Sequence, residues 1–226
     1  MTDAAAFIRA GTAISSHALV PAIRLHLATE ITPIWKATEA WLAETGTAPP
    51  FWAFAWPGSA AMARHILDHP ELVRGRRVLD FAAGCGLAAI ACAMAGARTV
   101  AASEIDRLAC EAVALNAGLN GVTVDILGDV VGDVVGSDRA WDLILCGDVC
   151  YEAPMTGRIM PWLRTRATAA EVWIADPGRA YLPKDGLTAL LTMAVPTTME
   201  LEDHAERRVT LWRLSPARNH VGPVAV

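Results

Sequence analysis

The sequence predicts an α/β fold: a mostly parallel sheet with helices on both faces, ending in an antiparallel hairpin and preceded by a helical extension. Three observations carry this expectation. From residue 76 onward, apolar runs of strand length alternate with helical patterns, which is the rhythm of a parallel sheet covered on both sides. Residues 77–86, RVLDFAAGCG, read as a buried strand, a tight glycine turn and the start of a helix. Near the end, residues 197–202 and 208–214 alternate apolar and polar side chains across a polar turn at 203–206. No helical pattern separates those two runs, so they read as a hairpin.

Taken in order, residues 4–10 and roughly 20–45 carry helical periodicity, with a turn at 11–16 between them. Pro21 can open the second helix, and Ile23, Leu27, Ile31 and Ile34 recur near helical spacing. Pro33 kinks or ends it, and Trp35, Trp41 and Leu42 continue an apolar face. The segment is a cap over a site or a packing arm. After a loop at 46–50, the stretch PFWAFAWPGS alternates Trp52, Phe54 and Trp56 ahead of Pro57 and Gly58. Taken alone, it is an edge strand or a hydrophobic plug. Ser59 can cap a helix running to about Asp68.

Strands are then expected at 76–81, 98–103, 122–127, 141–147 and 170–175, with helices at 86–97, 107–120, 153–168 and 186–194. Asp106 is a candidate N-cap of the 107–120 helix and Gly121 its C-terminal stop. This divides the chain into an N-terminal extension (1–49), one α/β domain (50–214) and a tail (215–226) with no period and two prolines.

With 226 residues, 54% apolar and 19% charged, the chain can bury a full core. A net charge of −5 lacks the basic face that nucleic-acid binding needs; it suits a cationic cofactor or a lysine-bearing substrate. Cys85, Cys92, Cys110, Cys146 and Cys150 form no C-x-x-C pair, and the six histidines do not cluster. That pattern points to a reducing compartment without structural zinc or disulfides. The N-terminus has no basic lead into an apolar core, and the apolar, uncharged run 81–97 is short and glycine-interrupted. A cytoplasmic protein with no membrane partner is expected.

A strand, a glycine turn and a helix make a cradle for a nucleotide-type cofactor, because the turn admits the ligand to the backbone and the helix N-terminus offers N–H groups. Gly84 to Ala89 spell G-x-G-x-x-A, and Glu104 stands where a ribose-binding acid belongs. An NAD-dependent oxidoreductase is therefore one reading. Against it, Gly84 stands four positions after Asp80, giving a longer D-x-A-x-G-x-G loop with an acid at its root. No Y-x-x-x-K hydride-transfer set accompanies it. A loop of that shape suits a ligand with a positive centre and an amino-acid portion, as in S-adenosylmethionine.

RVLDFAAGCG, an acid closing the second strand and a terminal hairpin together resemble a Rossmann-like class I S-adenosylmethionine-dependent methyltransferase, whose sheet has seven strands. FWAFAWPGSAAMARHILDHPELVRG, GDVCYE at 147–152 and ADPGR at 175–179 narrow the resemblance to the seven-strand protein-lysine methyltransferases. The group that modifies the β subunit of electron transfer flavoprotein is the most similar, over about residues 23–213. The resemblance implies S-adenosylmethionine as cofactor and a protein substrate: the flavoprotein β subunit is favoured, a ribosomal protein is the alternative. A cofactor-binding module without activity is a third, separate reading.

Glu104 is the candidate for the ribose hydroxyls, since a carboxylate accepts two O–H bonds at once. Ile105 would pack on the adenine, and Asp129 would accept from its amino group or be an ordinary solvated acid. Asp80 would hold the loop or meet the methionine ammonium; a lone buried acid needs some partner. Gly84 and Gly86 allow close backbone approach. Ala82 stands where many class I methyltransferases carry glycine, and is tolerable only with a negative φ. By resemblance, Trp56, Gly58 and Gly147 line the cofactor pocket. Asp148 and Tyr151 match the substrate-lysine motif D-x-x-Y, with Asp148 orienting the amine and Tyr151 walling its channel. As an alternative, Asp148 caps the following helix. Residues 176–179, D-P-G-R, would shape the substrate entrance without an assigned contact.

Overall fold

The computed structural model describes residues 4–29, 50–131 and 139–216. Helix α1 (Ala4–Gly11) and a small antiparallel pair, β1 (Ala13–Ser15) and β2 (Leu25–Leu27), come first. A short 3₁₀ turn (Phe51–Ala53) then leads into α2 (Pro57–Asp68), β3 (Arg77–Phe81), α3 (Leu87–Met94), β4 (Thr99–Ser103), α4 (Arg107–Leu119) and β5 (Asp125–Leu127). The remaining elements are β6 (Leu143–Gly147), α5 (Ala153–Arg166), β7 (Glu171–Asp176), β8 (Leu187–Pro196), the one-turn α6 (Met199–Glu202) and β9 (Glu206–Leu214).

The large sheet has seven strands in the order β5-β4-β3-β6-β7-β9-β8. The first five are parallel to one another, whereas β9 runs antiparallel to both β7 and β8. The strand order reverses between β3 and β6, and the crevice at their carboxyl ends is where open α/β sheets bind ligands. Alternation along each strand divides the core into two layers. Val78, Val100, Leu143, Leu145 and Ala175 face α2, α3 and α4, while Leu79, Ile144, Val172 and Ile174 face Ile159, Met160 and Leu163 of α5. Because both faces are covered, β3, β6 and β7 read as nearly unbroken apolar runs.

Local chemistry sets several ends as expected. The Asp106 carboxylate accepts from the Leu108 N–H at 2.8 Å and opens α4, and Gly121 stops it at φ +67°.

Four expectations are corrected. The helix expected over 186–194 is replaced by strand β8: the run is rich in helix-forming Leu, Ala and Met, but pairing with β9, broken only by an irregularity between Ala189 and Leu191, overrides propensity. The hairpin is therefore built from β8 and β9, and the span 197–202, read as its first strand, is the connection that carries α6. Within 20–29 the chain forms β2 instead of a helix. The buried Asn116 side chain accepts from the His26 N–H at 2.7 Å and donates to the Cys85 carbonyl at 2.9 Å, so an amide on α4 ties this strand to the glycine loop. The expected helix over 30–45 and the loop at 46–49 lie outside the described residues. Ser59 does not cap α2; Trp56 is its N-cap residue, Pro57 occupies the first turn, and Ser59 is buried inside the helix.

Candidate active site

Three chain segments meet at the crevice: the loop after β3, the segment after β6, and the aromatic stretch before α2. In the β3–α3 loop, Gly84 (φ +56°) and Gly86 (φ +78°) are left-handed, so glycine is what lets the chain turn. A Cβ at Gly84 would meet nothing nearer than the Phe51 carbonyl at 4.0 Å, which leaves the outer face of the loop open. Gly86 is constrained from within, since its Cβ would lie 3.1 Å from Val113.

Ala82 departs from expectation. Its φ is +53°, in the left-handed region, where the Cβ opposes the backbone. Replacing it with glycine is expected to raise stability by about 0.5–1 kcal/mol, because relief of left-handed strain outweighs the added freedom of the unfolded chain. Urea denaturation checks this: a midpoint that falls would mean that packing of the methyl against the core outweighs the strain.

Asp80 is buried and has the partner its burial demands. Its Oδ2 accepts from the Ala89 N–H at 2.9 Å, in the first turn of α3. The acid thus ties the end of β3 to the helix beyond the loop. Burial pushes its pKa up to about 8, with the nearby Glu104 adding to the rise and the Ala89 bond opposing it. Burial thus disfavours the charged form, and the bond to Ala89 makes Asp80 a tie across the glycine loop.

Glu104 lies just past β4. Its Oε1 accepts from the Gly84 N–H at 2.8 Å and its Oε2 from the Ile105 N–H at 3.1 Å, so the carboxylate is aimed at the glycine loop. Burial raises its pKa, and the two backbone bonds oppose the rise. Ile105 beside it is 75% exposed, an unusual placement for a large apolar side chain. Asp129 is taken up locally: its carboxylate accepts from Arg158 and from the Val131 N–H at 3.0 Å.

Asp148 is the centre of the second segment. Its φ of +55° is a strained backbone that Asp tolerates better than most residues, and its N–H is held by the Ala175 carbonyl at 3.0 Å. The side chain does not cap α5, which begins after Glu152. It reaches the N-terminus of α2 instead, where Oδ2 accepts from the Gly58 N–H at 2.5 Å. Burial pushes its pKa up to about 6, against the opposing pull of Arg179 and the Gly58 bond. Gly58 and Gly147 both serve close packing. A Cβ on Gly58 would fall 2.5 Å from the Ala175 carbonyl and from Asp148 Oδ2, and one on Gly147 would fall 2.6 Å from Ser59 Oγ.

The aromatic stretch before α2 forms the rim. The Trp56 indole N–H donates to the Phe51 carbonyl at 2.8 Å, and the Phe51 ring lies 5.4 Å from that of Tyr151. Tyr151 is 40% exposed at the crevice mouth, its pKa raised chiefly by burial. The expected alternation of Trp52, Phe54 and Trp56 is not a strand: Trp52 is buried in the 3₁₀ turn, and Phe54 and Trp56 meet edge to face.

Sequence reasoning missed three participants: Phe51, Arg179 beyond its place in D-P-G-R, and Glu202. A buried acid in a polar connection leaves no periodic trace, so only the fold reveals Glu202. Among the described residues, no cluster of His, Cys, Asp or Glu is arranged to hold a metal, and no helix is long and apolar enough to cross a membrane.

The features above fit S-adenosylmethionine: an open left-handed glycine loop at the strand-order reversal, and a carboxylate after β4 held toward it. Fold and site together define a class I S-adenosylmethionine-dependent methyltransferase. A profile described as Ribosomal protein L11 methyltransferase (PrmA) matches residues 60–148. A Pyrococcus horikoshii protein described as a candidate RNA methyltransferase shares the fold, with TM-score 0.55, 16% identity, and coverage of 80% of this chain and 97% of that one. The electron transfer flavoprotein beta subunit lysine methyltransferase of Xenopus laevis is 36% identical over 218 residues, spanning 93% of this chain and 86% of the relative. Its counterpart from Danio rerio is 34% identical over 220 residues, spanning 92% and 81%. The chain belongs to the electron transfer flavoprotein beta subunit lysine methyltransferase family, and it is an S-adenosylmethionine-dependent protein-lysine methyltransferase.

Proposed function

We propose that this enzyme methylates lysine on the β subunit of electron transfer flavoprotein. The supporting observation is the buried Asp148 carboxylate, which stands with Tyr151 at the crevice beside an open glycine loop in a chain that matches its relatives over nearly all its length. S-adenosylmethionine, when bound, supplies a methyl carbon already activated by its sulfonium.

In this reading, Gly84 and Gly86 let the backbone approach the methionine portion and Glu104 takes the ribose hydroxyls. The exposed Ile105 covers the adenine, with Asp129 sharing its carboxylate between the adenine amino group and Arg158. Trp56 lines the sulfonium side. Gly58 and Gly147 contribute by letting α2 approach β6, which carries Trp56 and Asp148 to the same place.

Asp148 accepts a hydrogen bond from the substrate lysine Nζ and orients its lone pair for in-line attack. The N–C bond forms as the S–C bond breaks, and the amine proton leaves to solvent. No strong base is needed, because positive charge nearby lowers the amine's pKa. Tyr151 and Phe51 wall the approach.

The test incubates the purified enzyme and methyl-labelled S-adenosylmethionine with the flavoprotein β subunit, ribosomal protein L11 and total RNA in parallel, then maps the product by mass spectrometry. Label on β-subunit lysine is expected. Label on ribosomal protein L11 alone would overturn the substrate assignment, and label on RNA or none at all would overturn protein methylation.

A further inference from the structure

Asp148 is one end of a buried chain of charges. The D-P-G-R turn begins it: Asp176 Oδ1 accepts from the N–H groups of Gly178 and Arg179, both at 2.6 Å, which turns the Arg179 side chain back across the end of β6. The Arg179 guanidinium donates to Asp148 Oδ1 from Nη2 at 2.8 Å and from Nε at 3.3 Å. Its other edge meets Glu202 on α6, with Nη1 3.1 Å from Oε2. Arg207 of β9 pairs with Glu202 at 3.2 Å. Glu202 has 2% of its side chain exposed, Asp148 8% and Arg179 17%. The Trp56 ring closes the assembly, 5.9 Å from the guanidinium carbon.

We infer that Arg179, clamped by Glu202, is a positioning residue for methyl transfer: it fixes the Asp148 carboxylate in orientation and in its proton-accepting form. This rests on the reading of Asp148 as the group that receives the lysine.

A carboxylate this buried tends to take up a proton, and a protonated Asp148 would donate where the amine needs an acceptor. An arginine prevents that in a way a lysine does not, since it stays charged and its planar fork sets direction as well as potential. Alone, a long side chain at a crevice mouth would exchange between Asp148 and solvent. Glu202 removes that freedom by binding the opposite edge of the fork. The hairpin connection, far from Asp148 in sequence, is thereby part of the active site.

The groups around Asp148 set the sign of each perturbation. Arg179 and Asp176 face it from the end of β7, Glu202 from α6, and Arg207 from β9 through Glu202. Cys150 follows two residues on, and α2 offers the uncharged Gly58 N–H. Removing the positive charge of Arg179 disfavours the carboxylate and moves the Asp148 midpoint up. Removing Glu202 takes away a like charge and leaves the fork to Asp148 alone, which moves the midpoint down. A purely structural tie would not give opposite signs.

The experiment follows Asp148 by carboxyl-carbon NMR titration in aspartate-labelled full-length protein, with D148N assigning the signal. Arg179→Gln is expected to raise the midpoint by about one pH unit, and Glu202→Gln to lower it. Arg179→Lys, the variant that best preserves folding, should return the midpoint most of the way. In steady-state assays on the flavoprotein β subunit, Arg179→Gln is expected to lower kcat by about 10²-fold with KM for S-adenosylmethionine unchanged, and Arg179→Lys to recover it only in part. Midpoints that stay put in both variants, or move in the same direction, would overturn the inference. So would an unaltered kcat in Arg179→Gln. A wild-type enzyme that does not methylate the β subunit would count against the substrate reading instead, because the titration does not depend on turnover.

Discussion

Asp148→Ala is expected to lower methyl transfer to protein lysine by about 10³-fold while S-adenosylhomocysteine binds within a few-fold of wild type, measured by steady-state turnover and by calorimetry. The asymmetry follows from position. The carboxylate lies after β6 and bonds to α2 and Arg179, whereas the glycine loop and Glu104 lie after β3 and β4 and share no hydrogen bond with it. The substitution removes the acceptor that would hold the amine, and it leaves the Gly58 N–H without its partner, at a cost of about 1–3 kcal/mol of stability. Arg179 keeps Glu202, so no unpaired buried cation results. Asp148→Asn separates the two effects: it still offers an oxygen to Gly58, so stability should recover more than turnover does. Equal loss of turnover and of S-adenosylhomocysteine affinity would make Asp148 a structural residue and refute the assignment.

Gly58→Ala is expected to destabilise the protein by about 3 kcal/mol and to abolish turnover with it. The backbone at Gly58 is helical and not left-handed, so the objection to a side chain is purely steric. The added Cβ would stand 2.5 Å from the Ala175 carbonyl, 2.5 Å from Asp148 Oδ2 and 2.9 Å from the Asp148 N. Two of those three atoms are backbone at the ends of adjacent parallel strands, where no rotamer change can make room. The N-terminus of α2 must therefore withdraw from the sheet edge and break the 2.5 Å bond to Asp148. Chemical denaturation measures the first effect and turnover the second; a midpoint within 0.5 kcal/mol of wild type would refute the steric argument. The W-P-G signature gains a physical meaning from this. Tryptophan stands at the crevice, proline opens the helix, and glycine permits the contact that orders the Asp148 carboxylate.

Much of the architecture was legible because it is written in local periods. The alternation from residue 76 onward, the glycine turn of RVLDFAAGCG and the capping Asp106 each depend on neighbours a few positions away, and the corresponding strands and helices are present. The failures share a cause. The run LTALLTMAVP is helix-forming by composition, and only hydrogen bonding to β9 makes it a strand. The segment around Leu25 carries helix-like apolar spacing, yet Asn116 of α4 and Asn120 just past its end, some ninety residues away in sequence, accept its backbone N–H groups and draw it out as β2.

The site divides along the same line. Asp80, Gly84, Gly86, Glu104, Asp148 and Tyr151 stand in spacings that can be read along the chain, so the sequence by itself pointed to the class of cofactor cradle and, through resemblance, to Asp148 as the candidate acid for the substrate amine. What the tertiary structure alone decided is the company those residues keep. Asp80 is buried and tied to the helix beyond the loop, Ala82 was held in a left-handed turn against its own preference, and Asp148 was set between Gly58 and Arg179, with Glu202 behind. The physical reason is that a charge in a low-dielectric interior is controlled by whichever groups lie within a few ångströms, whatever their place in the chain.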